Sequence, residues 1–161
     1  MLEAGFLIVI VAMAGAVLGS FASVLVTRFK TPYAFISTNG KASRSACPSC
    51  KTPLRVGDLI PVISWLVMGG RCRHCQAPIP RFYLYLELFS MAVSLFFLQI
   101  FGFGWGLAAF LAAQPFAIAS VYLFIRAHKP PAIYLMIAVM FVALALFLQY
   151  ANQQTVQDFA L

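Results

Sequence analysis

The chain is 161 residues long, 63% hydrophobic and only 9% charged, with a formal net charge of +7. Ordinary soluble domains are about 25% charged, and here the apolar residues come in long blocks rather than in alternation, which argues against a soluble fold. The basic excess follows a membrane-sidedness pattern and no nucleic-acid recognition motif accompanies it, so nucleic acid is not expected as a partner.

Taken in chain order, Phe6 to Val26 is the first block, with no charged residue over 21 positions. It is preceded by Glu3 rather than by a basic run and is too long for an ordinary signal core, so it is read as a retained helix. Gly15, Gly19 and Ser23 follow one another at steps of four, a spacing that puts them on one face where a second helix can approach closely. Thr31 to Ser45, with Pro32, Asn39 and Gly40, has the composition of a loop.

Residues 46–80 form the one stretch with a soluble composition. It contains all four cysteines of the chain, as Cys47-Pro48-Ser49-Cys50 and Cys72-Arg73-His74-Cys75 with 21 residues between the pairs. Two Cys-x-x-Cys hooks at this separation are the sequence form of a four-thiolate zinc site. A unit of about 35 residues rarely holds itself together by apolar burial alone, and a cytoplasmic location argues against disulfides. A metal held by Cys47, Cys50, Cys72 and Cys75 is therefore the expected staple. Reduced structural cysteines and a redox dithiol are the alternatives. Zinc fits better than iron because nothing in the chain suggests electron transfer, but a cluster stays open. His74, inside the second hook, either substitutes for one sulfur or, as the favoured reading has it, is a satisfied surface histidine.

Three further apolar blocks follow. Leu84 to Phe101 has 18 residues with a single acid, Glu87; Trp105 to Ile125 has 21 without charge; Ile133 to Tyr150 has 18 without charge. Each is close to the ~20 residues a helix needs to cross a bilayer, and backbone groups in lipid must pair internally, which favours helices. Glu87 is either a functional carboxylate at membrane depth or an interfacial one paired with Arg81 or Arg71. Pro115 is expected to kink the third block, Pro130-Pro131 to shape the link after it, and the tail from Asn152 to Leu161 to be polar and frayed.

The fold expected is thus an all-α polytopic membrane protein: transmembrane helices over 6–26, 84–101, 105–125 and 133–150, with a cytoplasmic four-cysteine domain over 27–83 between the first two. Nine of the eleven basic residues lie from Arg28 to Arg81, and Arg126 and Lys129 lie in the link after the third block. Basic loops stay in the cytoplasm, so both termini are expected outside and the cysteine domain inside, in the inner (plasma) membrane of a bacterium.

These residues resemble the amino-terminal part of the bacterial type IV prepilin peptidase family. The resemblance is carried by Gly19-Ser20-Phe21 with Arg28, by the four cysteines, by Asp58-Leu59-Ile60-Pro61-Val62-Ile63-Ser64-Trp65-Leu66 between the hooks, by Gly69-Gly70-Arg71-Cys72-Arg73, and by Tyr83 and Glu87 opening the next helix. It covers roughly residues 15 to 90. Where the family often has a basic residue before the tyrosine, this chain has Phe82, with Arg81 one step earlier as its substitute. The resemblance implies a membrane enzyme that cleaves the leader of type IV prepilins and type II secretion pseudopilins, often with S-adenosylmethionine-dependent methylation of the new amino terminus.

Such a peptidase needs two carboxylates, one holding a proton while the other activates water. The chain has two aspartates, Asp58 in the cysteine loop and Asp158 in the tail. They are not expected to meet. Tyr122-Leu123-Phe124-Ile125-Arg126 stands where the resemblance places the first catalytic aspartate, the Gly-x-Gly-Asp motif is absent, and the chain stops short of the family's usual helix count. No catalytic residue is assigned. The expectation is an accessory or binding subunit of type IV pilus or type II secretion prepilin processing, with zinc as its metal. Its partners are then the lipid bilayer, prepilin or pseudopilin, and a separate aspartate-bearing peptidase subunit. The alternatives are a prepilin N-methyltransferase using S-adenosylmethionine and half of a split peptidase. No Gly-rich loop for that cofactor is visible, so its binding residues stay unassigned.

Overall fold

In a computed structural model the chain is described over residues 2–29, 45–127 and 132–158. Five α-helices follow in order: α1 (Leu2–Phe29), α2 (Ile63–Val67), α3 (Arg81–Phe101), α4 (Trp105–Ala127) and α5 (Ala132–Asp158), with a short 3-10 helix, Val56–Leu59, before α2. There is no named strand among the described residues; two isolated bridges, Ala46 with Pro53 and Arg71 with Pro78, lie in the cysteine region.

Three helices are long and apolar enough to cross a membrane, over Gly5–Thr27, Arg81–Phe101 and Trp105–Arg126, and α5 contributes a shorter apolar stretch, Tyr134–Tyr150. Large side chains such as Phe6, Phe96, Val121 and Phe147 stay more than half exposed along these helices. In water that pattern would be costly; in hydrocarbon it costs nothing, because lipid tails are as apolar as the side chains.

Pair contacts give the helix directions. Val11 packs with Leu98, a Cβ on Gly15 would meet Ser94, and one on Gly19 would meet Leu86 and Ser90. As numbers rise on α1 they fall on α3, so the two run antiparallel. Val11 shares a cluster with Leu107, and Leu25 and Val26 share one with Ala119 and Leu123, so α1 and α4 run parallel. Gly106 lies against Ala145 and Gln149 while Phe116 meets Tyr134, so α5 runs antiparallel to α4. The result is an up-down-up-down bundle. Its cysteine loop sits at the end where α1 finishes, α3 begins and α4 finishes.

The small-residue face of α1 is used as its spacing predicts. The missing side chains of Gly15 and Gly19 let α3 come close enough for the Ser90 hydroxyl to donate to the Gly15 carbonyl at 2.6 Å. Gln114 of α4 joins the same spot. Its Nε2 donates to the Ser90 carbonyl at 2.7 Å and its Oε1 accepts from Ser94 Oγ at 2.9 Å. All three side chains are buried, and each polar group finds a partner inside the bundle, as an apolar surrounding requires.

The helix α4 continues through the buried Pro115, which membrane bundles tolerate because neighbouring groups re-satisfy the freed backbone. The helix α5 continues to Asp158, past the point where a frayed tail is expected. Gln153, Gln154 and Gln157 are adequate helix formers, so loss of apolarity does not itself end the helix. The loop expected over Thr31 to Ser45, apart from Ser45, and the link containing Lys129 and Pro130-Pro131 lie outside the described residues.

Candidate metal centre

The two hooks are built alike. Cys47 N–H donates to Thr52 O at 3.0 Å, Lys51 N–H to Cys47 O at 2.9 Å, and Leu54 N–H to Ser45 O at 2.8 Å. In the second hook Cys72 N–H donates to Ala77 O at 2.9 Å, Gln76 N–H to Cys72 O at 3.0 Å, and Ile79 N–H to Gly70 O at 2.7 Å. The bond pattern repeats position for position, and so do the bridges that close each turn. Lys51 and Gln76, the residues after each second cysteine, both take the left-handed conformation with φ of 59° and 57°. Each hook is thus a tight knuckle that presents two sulfurs to the same side. The duplication is legible in sequence, since both knuckles read Cys-x-x-Cys-x-x-Pro, ending at Pro53 and Pro78.

The knuckles face each other. One ligand atom from each of Cys47, Cys50, Cys72 and Cys75 lies within 4.8 Å of all the others, and the sulfurs of Cys47 and Cys75 are 3.8 Å apart. A tetrahedral ion with metal–sulfur bonds of about 2.3 Å has sulfur–sulfur edges of about 3.8 Å, whereas a disulfide needs about 2.05 Å. All four cysteines are free. The donor set therefore fits one ion with four thiolate ligands. His74 is exposed and stands outside this group.

Hydrogen bonds prepare sulfurs for the anionic form that a metal needs. Cys50 Sγ lies 3.3 Å from Thr52 Oγ1. The Thr52 hydroxyl, then the Thr52 backbone N–H, bring the Cys50 thiol down to about 6. The Cys75 N–H, followed by that of His74, holds the Cys72 thiol below its ordinary value. Cys75 behaves oppositely: the Ala77 N–H favours its thiolate, but desolvation and the neighbouring sulfurs drive it up to about 11. Adjacent thiolates repel without a cation, and a divalent ion removes that repulsion.

Two carboxylates brace the loop. Asp58 is buried in the 3-10 helix; it accepts from the Arg55 N–H at 3.1 Å and from Arg73 Nε and Nη2 at 3.1 and 2.9 Å. The Asp58–Arg73 pair ties the segment between the hooks to the second hook. Glu87, buried on α3, accepts from the Val62 N–H at 2.7 Å. Val62 has φ 62° and ψ −54°, an outlier for a β-branched residue. No ion pair of Glu87 with Arg81 or Arg71 is present among the described residues. Its partners are the Val62 N–H and the Ser20 hydroxyl of α1, which sequence inspection does not bring together.

Between the loop and the ends of α1 and α3 lies a cavity of about 420 Å³, with Ser20, Thr27, Trp65, His74, Tyr83 and Glu87 in its wall. Trp65 Nε1 is buried there without a hydrogen-bond partner, and its ring closes against Gly70. The sequence motif Ser64-Trp65-Leu66 marks this residue, but its facing α1 across a cavity is a tertiary fact.

The chain matches the family model described as the bacterial peptidase A24 N-terminal domain over residues 13–101. It is 31% identical over 127 residues to the type 4 prepilin-like proteins leader peptide-processing enzyme of Escherichia coli O78:H11 (strain H10407 / ETEC), a match covering 70% of this chain and 47% of that protein. It is 44% identical over 80 residues to a prepilin leader peptidase/N-methyltransferase of Burkholderia pseudomallei (strain 1026b), covering 48% of this chain and 26% of the relative. A prepilin leader peptidase/N-methyltransferase of Aeromonas hydrophila is 43% identical over 68 residues, covering 42% and 23%. The matched part is less than half the length of each of these relatives. No solved structure matches the chain. With the family model spanning more than half of its residues, including both knuckles and the helices that carry them, the chain belongs to the family of the bacterial peptidase A24 N-terminal domain.

Proposed function

We propose that the chain is a prepilin peptidase-like inner-membrane protein whose cysteine loop holds Zn²⁺ on the cytoplasmic side, and that it serves prepilin processing as an accessory or binding subunit. The observation that carries this reading is the closed four-sulfur set. Four thiolates fill a tetrahedron and leave no position for water or substrate, which is the form of a structural rather than a catalytic zinc site. Zn²⁺ there contributes folding free energy to a unit too small to be held by its own apolar core. The loop then presents a stable surface at the membrane. The described carboxylates have structural partners: Asp58 with Arg73 and Arg55, Glu87 with Val62. Neither is paired with a second acid, so the proposal places no peptide hydrolysis at this site.

Sidedness follows from charge. Nine of the eleven basic residues lie from Arg28 to Arg81, and Arg126 ends the α4 span at the same end of the bundle as the loop. By the positive-inside rule that end is cytoplasmic and both termini are periplasmic.

A second reading has one observation in its favour. The cavity of about 420 Å³ falls within the roughly 300–1,000 Å³ of small-molecule sites, and relatives carry N-methyltransferase in their names. S-adenosylmethionine is the ligand that reading requires.

One experiment separates the two. The purified chain in lipid nanodiscs is incubated with prepilin and methyl-labelled S-adenosylmethionine, and zinc, bound prepilin, cleavage and label transfer are measured together. Stoichiometric zinc with prepilin retained and neither cleaved nor labelled is the expected result. Transfer of label selects the methyltransferase. Cleavage of the leader by this chain alone, or failure to retain prepilin, overturns the subunit reading.

A further inference from the structure

We propose that the 3-10 helix and α2, which the charge pattern places in a cytoplasmic loop, lie within the headgroup–acyl boundary of the bilayer with their apolar face in lipid. The segment carries an apolar surface that stays exposed beside the described residues of the bundle. Val56 is 80% exposed, Leu66 60%, Val67 77% and Ile63 50%, with Leu59 and Ile60 also exposed. Six such side chains within 12 consecutive residues make a patch of the kind that marks a protein or membrane contact.

Depth decides between those two occupants. The start of α2 is fixed by the 2.7 Å bond from the Val62 N–H to Glu87 Oε2. Glu87 lies six residues beyond Arg81, where the α3 span begins, which is about 9 Å along the helix axis. Across the cavity the facing wall is formed by Ser20, Ser23 and Thr27, all inside the α1 span Gly5–Thr27. Both helices place the anchor of α2 beneath the level where their spans end. A soluble partner does not reach that level from the cytoplasm, whereas acyl chains and headgroups already occupy it.

Backbone accounting agrees. Irregular backbone survives at membrane depth only where its polar groups are paired. Ser64 N–H donates to Ile60 O at 3.0 Å, Leu66 N–H to Val62 O at 3.0 Å and Met68 N–H to Ser64 O at 3.0 Å. The Val62 N–H, at the break before α2, has no carbonyl to reach, and Glu87 supplies its acceptor. This gives the acid of α3 a physical reason for its place. Cations complete the arrangement. Arg55 and Arg71, both exposed, flank the apolar stretch and suit anionic headgroups.

The inference rests on the helix spans and not on the substrate of the loop, so it stands or falls separately from the proposed function. Its test uses the full zinc-loaded chain in nanodiscs of phosphatidylethanolamine and phosphatidylglycerol. Trp105→Phe leaves Trp65 as the background emitter, and Ile63→Trp or Leu66→Trp is added to it. The added emission is expected to be blue-shifted, quenched by lipids brominated on the upper acyl chain, and spared by aqueous iodide. Quenching by iodide overturns the proposal by placing the face in water. Quenching by neither medium overturns it too, because a protein partner or a second copy then covers the face. If Ile63→Trp loses zinc, Leu66→Trp carries the measurement, since the Leu66 side chain is already 60% exposed and its backbone bond to the Val62 carbonyl does not depend on the side chain.

Discussion

Gly70 has φ +66°, and a Cβ there would sit 2.5 Å from the Trp65 ring. Both facts ask for the absence of a side chain. Gly70→Ala combines a left-handed penalty of about 1–2 kcal/mol with displacement of the ring that closes the cavity. Thermal unfolding of the zinc-loaded chain should show a destabilisation of about 2 kcal/mol or more, and an unchanged melting temperature would remove Trp65 from its assigned place. Asp58 makes a pH prediction. The Arg55 N–H, ahead of the opposing desolvation and the assisting Arg73, holds its carboxyl below the ordinary value of 3.8. A depressed carboxyl contributes stability that is complete above its unfolded pKa of about 3.9 and is lost as pH falls through the folded value. Asp58→Asn should cost about 1–2 kcal/mol at neutral pH, with the Arg73 share discounted because that side chain is 51% exposed. Limited proteolysis of the loop across pH should show the gap between the two chains constant down to about pH 4 and closing below it. A gap that widens in acid contradicts the assignment. The thiolates that the proposed metal needs also protonate in acid in both chains, which is why the difference is the informative quantity.

At the scale of elements, the contact between α1 and α3 depends on what is missing. A Cβ on Gly19 would lie 2.7 Å from both the Leu86 carbonyl oxygen and Ser90 Cβ, beside the backbone of Glu87. A backbone oxygen cannot swing aside as a flexible side chain can. Gly19→Leu should therefore push the helices apart and cost at least about 1–3 kcal/mol, read as a lower melting temperature in detergent. It should also loosen the cavity, because Gly19 sits one residue from Ser20 in the wall. A parent-like melting temperature would mean that the close approach is not needed. The step-of-four spacing of Gly15, Gly19 and Ser23 made this face legible beforehand. Its partner was not legible, because Ser90, Ser94 and Gln114 look like scattered polar residues until three helices bring them together.

For the whole molecule, the metal centre and the helical bundle should separate experimentally. The bundle rests on helices that lipid stabilises one by one, and in the proposed function the loop rests on one ion. Cys72→Ser should lower zinc content and make residues 45–80 protease-sensitive while membrane fractionation stays unchanged. Unchanged zinc content counts against the four-sulfur site. Loss of membrane insertion counts against the independence of the two parts.

Read alone, the amino-acid sequence determined the solvent of this protein, the positions of its apolar helices, the pairing of its cysteines into hooks and the concentration of positive charge at one end. Each of these is a local property: length against bilayer thickness, the residue beside a turn, the sign of a loop. Tertiary structure alone decided that the four sulfurs converge within 4.8 Å of one another, that Asp58 reaches Arg73, and that Glu87 turns to the Val62 N–H rather than to Arg81 or Arg71. The reason is physical. A carboxylate takes whichever donor the fold brings within hydrogen-bond reach, and here that donor is freed by a turn that Pro61 announces but whose positive φ at Val62, and so its direction toward α3, it does not.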